Sequence, residues 1–253
     1  MSRLCHSVPG VLTAALVACL FVAPSGLAEE PQQLLEQMDE ASVRAKDLQL
    51  DYRVLNEIPG KAPRTMRLHV KTKGSKRITE FLAPGDMKGT KVLSLSREKM
   101  WVYLPAYQKV RRVASHATQQ GFMGTTFSQD DMAIDRYAPV YQGAIEGQDD
   151  KTWTLKLTPR SDANSGYGHL VMVVRKDNHL PSEVRYFSEK GQHVKTQKRL
   201  GYSCESGVCN PEKLVMVDHT RGDAKTTMTR QSWKVNQGIP DKLFSVRNLQ
   251  RAR

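Results

Sequence analysis

The side chains able to do chemistry in this chain are few and scattered. Apart from His6 near the N-terminus, histidines stand at His69, His116, His169, His179, His193 and His219, with no H-E-x-x-H spacing to hold a metal. No G-x-S-x-G turn presents a nucleophilic serine, and no glycine-rich loop is built to cradle phosphate. Asp130 and Asp131 are adjacent carboxylates, but Ser128 stands three residues before Asp131, the spacing of a helix capping box. That spacing assigns Asp131 to a helix start rather than to acid–base work. No catalytic residue, metal or cofactor is expected, and the chain reads as a non-enzyme.

The cysteines point to export rather than to catalysis. Cys5 and Cys19 fall in an N-terminal apolar segment, whereas Cys204 and Cys209, in YSCESGVCNP, bracket a four-residue gap that contains glycine. Such a gap suits a bridge across the tip of a hairpin and is not the C-x-x-C of a redox pair. Arg3 precedes an apolar run from Val11 to Val22, Pro24 ends it, and Gly26-Leu27-Ala28 places small residues where a signal peptidase reads. Residues 1–28 are therefore expected to be a signal peptide, cleaved after Ala28, with an exported mature chain. Leu16-Val17-Ala18-Cys19 also has the form of a lipobox, but the apolar run continues through Leu20 to Ala23, which favours the later cleavage. The formal charge of +12 falls to +11 once Arg3 is removed. In an exported protein that excess faces anionic lipid head groups, and nucleic acid is not an expected partner.

The elements that would position these residues are mostly strands. Pro31 to Ala45 reads as a helix, with Pro31 in its first turn and Leu34, Leu35, Met38 and Ala41 on one face. Leu48, Leu50, Tyr52 and Val54 then alternate with polar residues, as do Met66, Leu68 and Val70. The same alternation returns in seven further segments beyond Tyr141, separated by short turns rich in Gly, Asn and Asp. Ten or eleven short antiparallel strands with few helices imply a mainly β protein whose sheet curls into an unclosed, half-barrel form. Residues 29–253 are expected to form one domain, with helices covering the concave side of the sheet. The absence of a lipid-facing apolar band argues against an outer-membrane barrel.

Between the two runs of strands lies a different stretch, Met100 to Tyr137. It opens as a strand carrying Trp101 and Tyr103, passes through a basic turn with Lys109, Arg111 and Arg112, and reaches an apolar cluster of Phe122, Met123 and Phe127. With Met132, these soft side chains suit a surface that covers acyl chains of variable shape. They would equally complete a core beneath a helix. Gly121 and Gly124 flank Phe122 and Met123 and are expected to act as hinges of a lid.

This stretch resembles the periplasmic outer-membrane lipoprotein-sorting protein family. The resemblance rests on Trp101, Tyr103 and Pro105, on the Arg111-Arg112 turn, and on Phe122, Gly124, Thr125, Phe127, Ser128 and Asp131. A closing motif, Gly238-Ile-Pro-Asp-Lys-Leu-Phe244-Ser with Leu249 following, extends it to the C-terminal end. It implies an unclosed antiparallel barrel with covering helices, similar to carriers of the lipoprotein-localisation pathway. The implied cargo is the acyl chains of lipids or lipoproteins, moved between inner and outer membranes in transient contact with each. An inner-membrane transporter or an outer-membrane acceptor would be the partner. Leu34, Leu35, Met38, Trp101, Tyr103, Phe122, Met123, Phe127 and Met132 are then expected to line the cavity or its lid. Arg111 and Arg112 are expected to meet an anionic head group. A sensor or scaffold of the same fold, binding an envelope signal and a membrane protein, is the competing reading.

Overall fold

The computed structural model describes residues 30–251 apart from 97, 114–120, 129–130, 133 and 164. The expected leader and cleavage site, Cys19, His116 and Asp130 lie outside the described residues. The chain begins with α1 (Pro31–Ser42), somewhat shorter than its apolar pattern suggests. The sheet strands are β1 (Leu48–Glu57), β2 (Arg64–Lys73), β3 (Lys76–Ala83), β4 (Lys91–Ser96), β5 (Lys99–Leu104) and β6 (Lys109–Arg112), then β7 (Tyr141–Gln148), β8 (Thr152–Pro159), β9 (His169–Arg175), β10 (Pro181–Phe187), β11 (His193–Glu205), β12 (Val208–Asp218) and β13 (Ala224–Val235). A last helix, α2 (Val246–Leu249), is capped by Ser245, whose hydroxyl accepts from the Asn248 N–H.

All thirteen strands belong to one antiparallel sheet, ordered β6-β5-β4-β3-β2-β1-β13-β12-β11-β10-β9-β8-β7. Two meanders, β1–β6 and β7–β13, are thus zipped together by the β1–β13 pair, which runs from Leu48 opposite Val235 to Glu57 opposite Lys225. The open edges are β6 and β7, consecutive in sequence but at opposite ends of the sheet. Of the chain between them, the described residues 121–128 and 134–140 lie over the sheet's inner face and form a crossing segment. An unclosed, mainly β sheet is as expected, but there are thirteen strands rather than ten or eleven. Lys109–Arg112, read as a basic turn, is the edge strand β6. Its burial pattern shows no apolar alternation because its side chains are mostly exposed, and charged residues are a common way of blunting a free edge.

The inner face carries the main core. Val54, Met66, Phe81, Leu155, Leu157, Leu170, Met172 and Met216 are buried there at the inward positions of their strands. The same alternation produces a second cluster on the outer face near β4, where Leu93 packs with Ile239, Phe244 and Leu249. Asp47 fixes the C-terminal segment that supplies those residues. Its carboxylate accepts from the N–H groups of Gln237 (2.8 Å), Gly238 (2.9 Å) and Ile239 (3.2 Å). At the far tip, Cys204 and Cys209 face each other across β11 and β12 and form a disulfide, as their spacing suggested.

Candidate functional site: a cavity beneath the crossing segment

The crossing segment is held to the inner face by buried polar contacts. The Thr126 N–H donates to Thr226 Oγ1 (2.9 Å) and the Thr126 hydroxyl to the Met216 carbonyl (3.0 Å). Asn56 ties in from β1, donating through Nδ2 to the Gly124 carbonyl (2.9 Å) while accepting from the Thr226 hydroxyl (2.7 Å). Phe122 packs against Phe81 with ring centroids 6.1 Å apart. The two glycines serve this tight turn rather than a hinge. A Cβ on Gly121 would stand 2.4 Å from the Thr125 carbonyl oxygen, and Gly124 has φ +82°, a conformation that favours glycine. Ser128 and Asp131 form the expected capping pair: the Ser128 N–H donates to Asp131 Oδ2 (2.8 Å) and the Asp131 N–H to Ser128 Oγ (3.0 Å).

Asp131 does more than cap. It also accepts from the Tyr167 hydroxyl (2.7 Å) and pairs with Lys195 Nζ (2.9 Å), in a site where its side chain is wholly buried. Further along, Asp39 on α1 receives the N–H groups of Tyr137 (2.8 Å) and Ala138 (2.7 Å), one on each oxygen. Burial pushes the Asp39 carboxyl up to about 6, and the two N–H donors oppose that rise.

Between these anchors the segment leaves a cavity of about 260 Å³. Leu48, Leu50, Tyr52 and Val70 form one wall, Leu214 and Met228 another, and Phe127, Met132, Ile134 and Tyr137 the cover. A smaller apolar cavity of about 20 Å³ lies alongside, lined by Val92, Met100 and Phe122. Arg77 and Met132 line both.

Only part of the expected set meets here. Phe127 and Met132 line the larger cavity and Phe122 the smaller, whereas Met123 packs at the margin of the core and lines neither. Leu34, Leu35 and Met38 are fully buried in the core; the cavity is reached instead by Ser42 and Val43, at the C-terminal end of α1. Trp101 and Tyr103 belong to the outer-face cluster with Phe244 and Leu249. Strand alternation explains this, because their neighbours Met100 and Val102 take the inward positions. Arg111 and Arg112 are exposed on edge strand β6 and line neither cavity.

Two other arginines do line the cavity, Arg77 on β3 and Arg199 on β11. Arg77 NH1 donates to the Met132 carbonyl. Arg199 donates through Nε to Gln197 Oε1 (2.9 Å) and through NH2 to the Tyr137 hydroxyl (3.4 Å). Neither makes an ion pair among the described residues. Desolvation lowers the pKa of Arg77, with Tyr52 and Asp135 opposing it. The Tyr52 hydroxyl is raised by burial and drawn back down by the charges of Arg77, Arg230 and Arg199, which gather around it. Asn210 Oδ1, in the same cavity wall, is buried without a hydrogen-bond partner among the described residues. A signal for these residues exists in the sequence. Arg77 shares the parity of Thr79 and Phe81, and Arg199 that of Gln197, so both are arginines at inward strand positions.

The histidines stay scattered, with one grouping the sequence reading missed. His219 Nδ1 lies 2.6 Å from Asp223 Oδ1, four residues on, and its ring is 4.6 Å from that of His193. Among the described residues no group of three His, Cys, Asp or Glu side chains is placed to hold a metal.

An open antiparallel sheet, crossed by its own connecting segment over a cavity, defines the architecture of this chain. A family model with the description "-like: Uncharacterized protein" matches residues 73–251, and the chain belongs to that family. Its fold is that of the outer-membrane lipoprotein-sorting and LolA-superfamily structures. A DUF1329 family protein from Desulfovibrio piger is 22% identical with a TM-score of 0.79, over 86% of this chain and 97% of that one. A lipoprotein-sorting protein domain from Vibrio parahaemolyticus is 21% identical with a TM-score of 0.77, over 87% and 98%. A LolA superfamily protein from Nitrosomonas europaea is 22% identical with a TM-score of 0.71, over 86% and 98%. No curated protein matches the sequence.

Proposed function

We propose that this chain is an exported, non-catalytic carrier that shelters acyl chains of lipids or lipoproteins and moves them between the inner and outer membranes. Residues 29–253 would act as one carrier domain in the periplasm, handing cargo to or from a membrane transporter or acceptor. The observation that carries this reading is the cavity of about 260 Å³ walled by Leu48, Leu50, Val70, Leu214 and Met228 and covered by Phe127 and Met132. Each buried methylene contributes about 0.8 kcal/mol, so a chain entering such a wall gains several kcal/mol and leaves by handover rather than by dilution. The Cys204–Cys209 disulfide agrees with an oxidising compartment. A Leu214→Trp substitution would fill the cavity from a half-buried wall position without touching the anchors of the crossing segment. Native mass spectrometry of the mature protein is expected to show lipid co-purifying with the wild type and at least about tenfold less with Leu214→Trp. Equal occupancy in the two proteins would remove the cavity from the carrier mechanism.

A further inference from the structure

The cavity has an apolar wall and a polar part of similar extent, and the polar part holds two guanidinium groups. Arg77 and Arg199 enter it from β3 and β11, strands on opposite sides of the β1–β13 seam. Desolvating a guanidinium is costly unless a matching anion is supplied. The two carboxylates of the cavity do not supply it. Asp131 is taken up by Lys195, Tyr167 and the Ser128 N–H. Asp135 acts on Arg77 only through space, without forming an ion pair. Each arginine keeps donors in hand: Arg77 uses NH1 on the Met132 carbonyl, and Arg199, with five N–H donors, is engaged by Gln197, Tyr137 and Tyr202. A guanidinium carries five N–H donors in a planar fork suited to carboxylate or phosphate oxygens.

We propose that Arg77 and Arg199 form the seat for the anionic head of the cargo, so that the chain selects acyl ligands bearing a carboxylate or phosphate over neutral ones of equal length. The proposal rests on the carrier reading and specifies its ligand class. The head lies between the two guanidiniums, and the tail runs along Leu48, Leu50 and Val70 beneath Phe127. The Tyr52 hydroxyl, among the same positive charges, supplies a further donor. Asn210 Oδ1 is left to accept from a hydroxyl or amine of a larger head group. The exposed pair Arg111 and Arg112 takes no part.

The test titrates the mature protein with palmitate, hexadecyl phosphate and hexadecanol, reading bound ligand after gel filtration. The wild type is expected to bind the two anions at least about tenfold more tightly than the alcohol, the scale of a few charge-assisted hydrogen bonds. Arg77→Met and Arg199→Met should each remove most of that preference and leave hexadecanol affinity within about twofold, because the apolar wall is kept. Arg77→Lys, which keeps the charge, should retain part of the preference, and it serves as the informative variant if a methionine substitution does not fold. A purely structural arginine would not shift the ratio between anion and alcohol. If the wild type binds hexadecanol as tightly as palmitate, the seat is wrong and the carrier reading stands. If no sixteen-carbon ligand binds at all, the carrier reading fails with it. Displacement of palmitate by millimolar inorganic phosphate would assign the arginines to a free anion and overturn the lipid head group.

Discussion

The two faces of the sheet are covered in similar ways and end in different states. On the outer face, the C-terminal segment is tied down by the Asp47 carboxylate and packs Ile239, Phe244 and Leu249 directly onto Leu93. On the inner face, the crossing segment is tied down by Thr126, Thr226 and Asn56, yet it stands off from part of the sheet and leaves the cavity. Both covers are anchored through buried polar groups. What differs is what lies beneath them: a fitted apolar cluster with a smaller cavity of about 100 Å³ beside it, lined by Lys71, Glu80 and Leu243, in one case, and the larger cavity with two arginines in the other. A packed cover makes stability and a stand-off cover makes room, and the difference can be measured.

The largest expected effect is on the packed side. Phe244→Ala removes a nearly buried ring from the outer cluster and should cost about 3–5 kcal/mol in urea unfolding. Ligand binding by the folded fraction should stay unchanged. A Phe244→Ala protein that keeps its stability but loses cargo would show that the outer face takes part in binding and break the comparison. Next comes Thr226→Val, close in shape, which deletes the hydroxyl that accepts from Thr126 N–H and donates to Asn56 Oδ1. Leaving buried partners unmatched should cost about 2–3 kcal/mol. The loss should be accompanied by faster proteolysis between residues 121 and 128. Were cleavage to fall instead near Ile239, the anchor would have been assigned to the wrong cover.

Much of this arrangement was legible in the sequence, and the misses share a cause. The alternation of β1 and β2, the Gly- and Asp-rich turns, the Ser128–Asp131 capping pair and the Cys204–Cys209 bridge are all local signals, and each is present in the fold. What could not be read was which face an alternation addresses. Trp101 and Tyr103 alternate as clearly as Leu48 and Leu50, but only the C-terminal segment, 140 residues later, shows that their side is the packed one. Which arginines reach the cavity depends on the same property. Arg111 and Arg112 are conspicuous as a pair yet exposed, whereas Arg77 and Arg199 stand singly and are brought to one cavity by a sheet that puts β3 and β11 on either side of the β1–β13 seam. Likewise the placing of residues 121–128 over the inner face goes with β6 and β7 being the two free edges, a property of the whole strand order.

The smallest effect tests whether the crossing segment is also held at its far end. Asp39 accepts the N–H groups of Tyr137 and Ala138 from a buried position, and its carboxyl is pushed up to about 6. A folded-state pKa above the unfolded value means that the proton stabilises the fold. The contribution is complete below the unfolded value near 3.8 and is lost as pH rises through about 6. Asp39→Asn abolishes the titration but leaves only one oxygen for two N–H donors. At neutral pH the relief of a buried charge and the loss of an acceptor oppose each other, so the variant should lie within about 1 kcal/mol of wild type. The informative quantity is the difference between the two proteins across pH, which cancels every other titrating group. Urea midpoints measured at intervals from pH 4 to pH 7 should show wild type losing ground to Asp39→Asn as pH rises. A difference that is flat, or of opposite sign, would mean that the carboxylate is held charged by its two donors, and that α1 grips the segment more firmly than its burial allows.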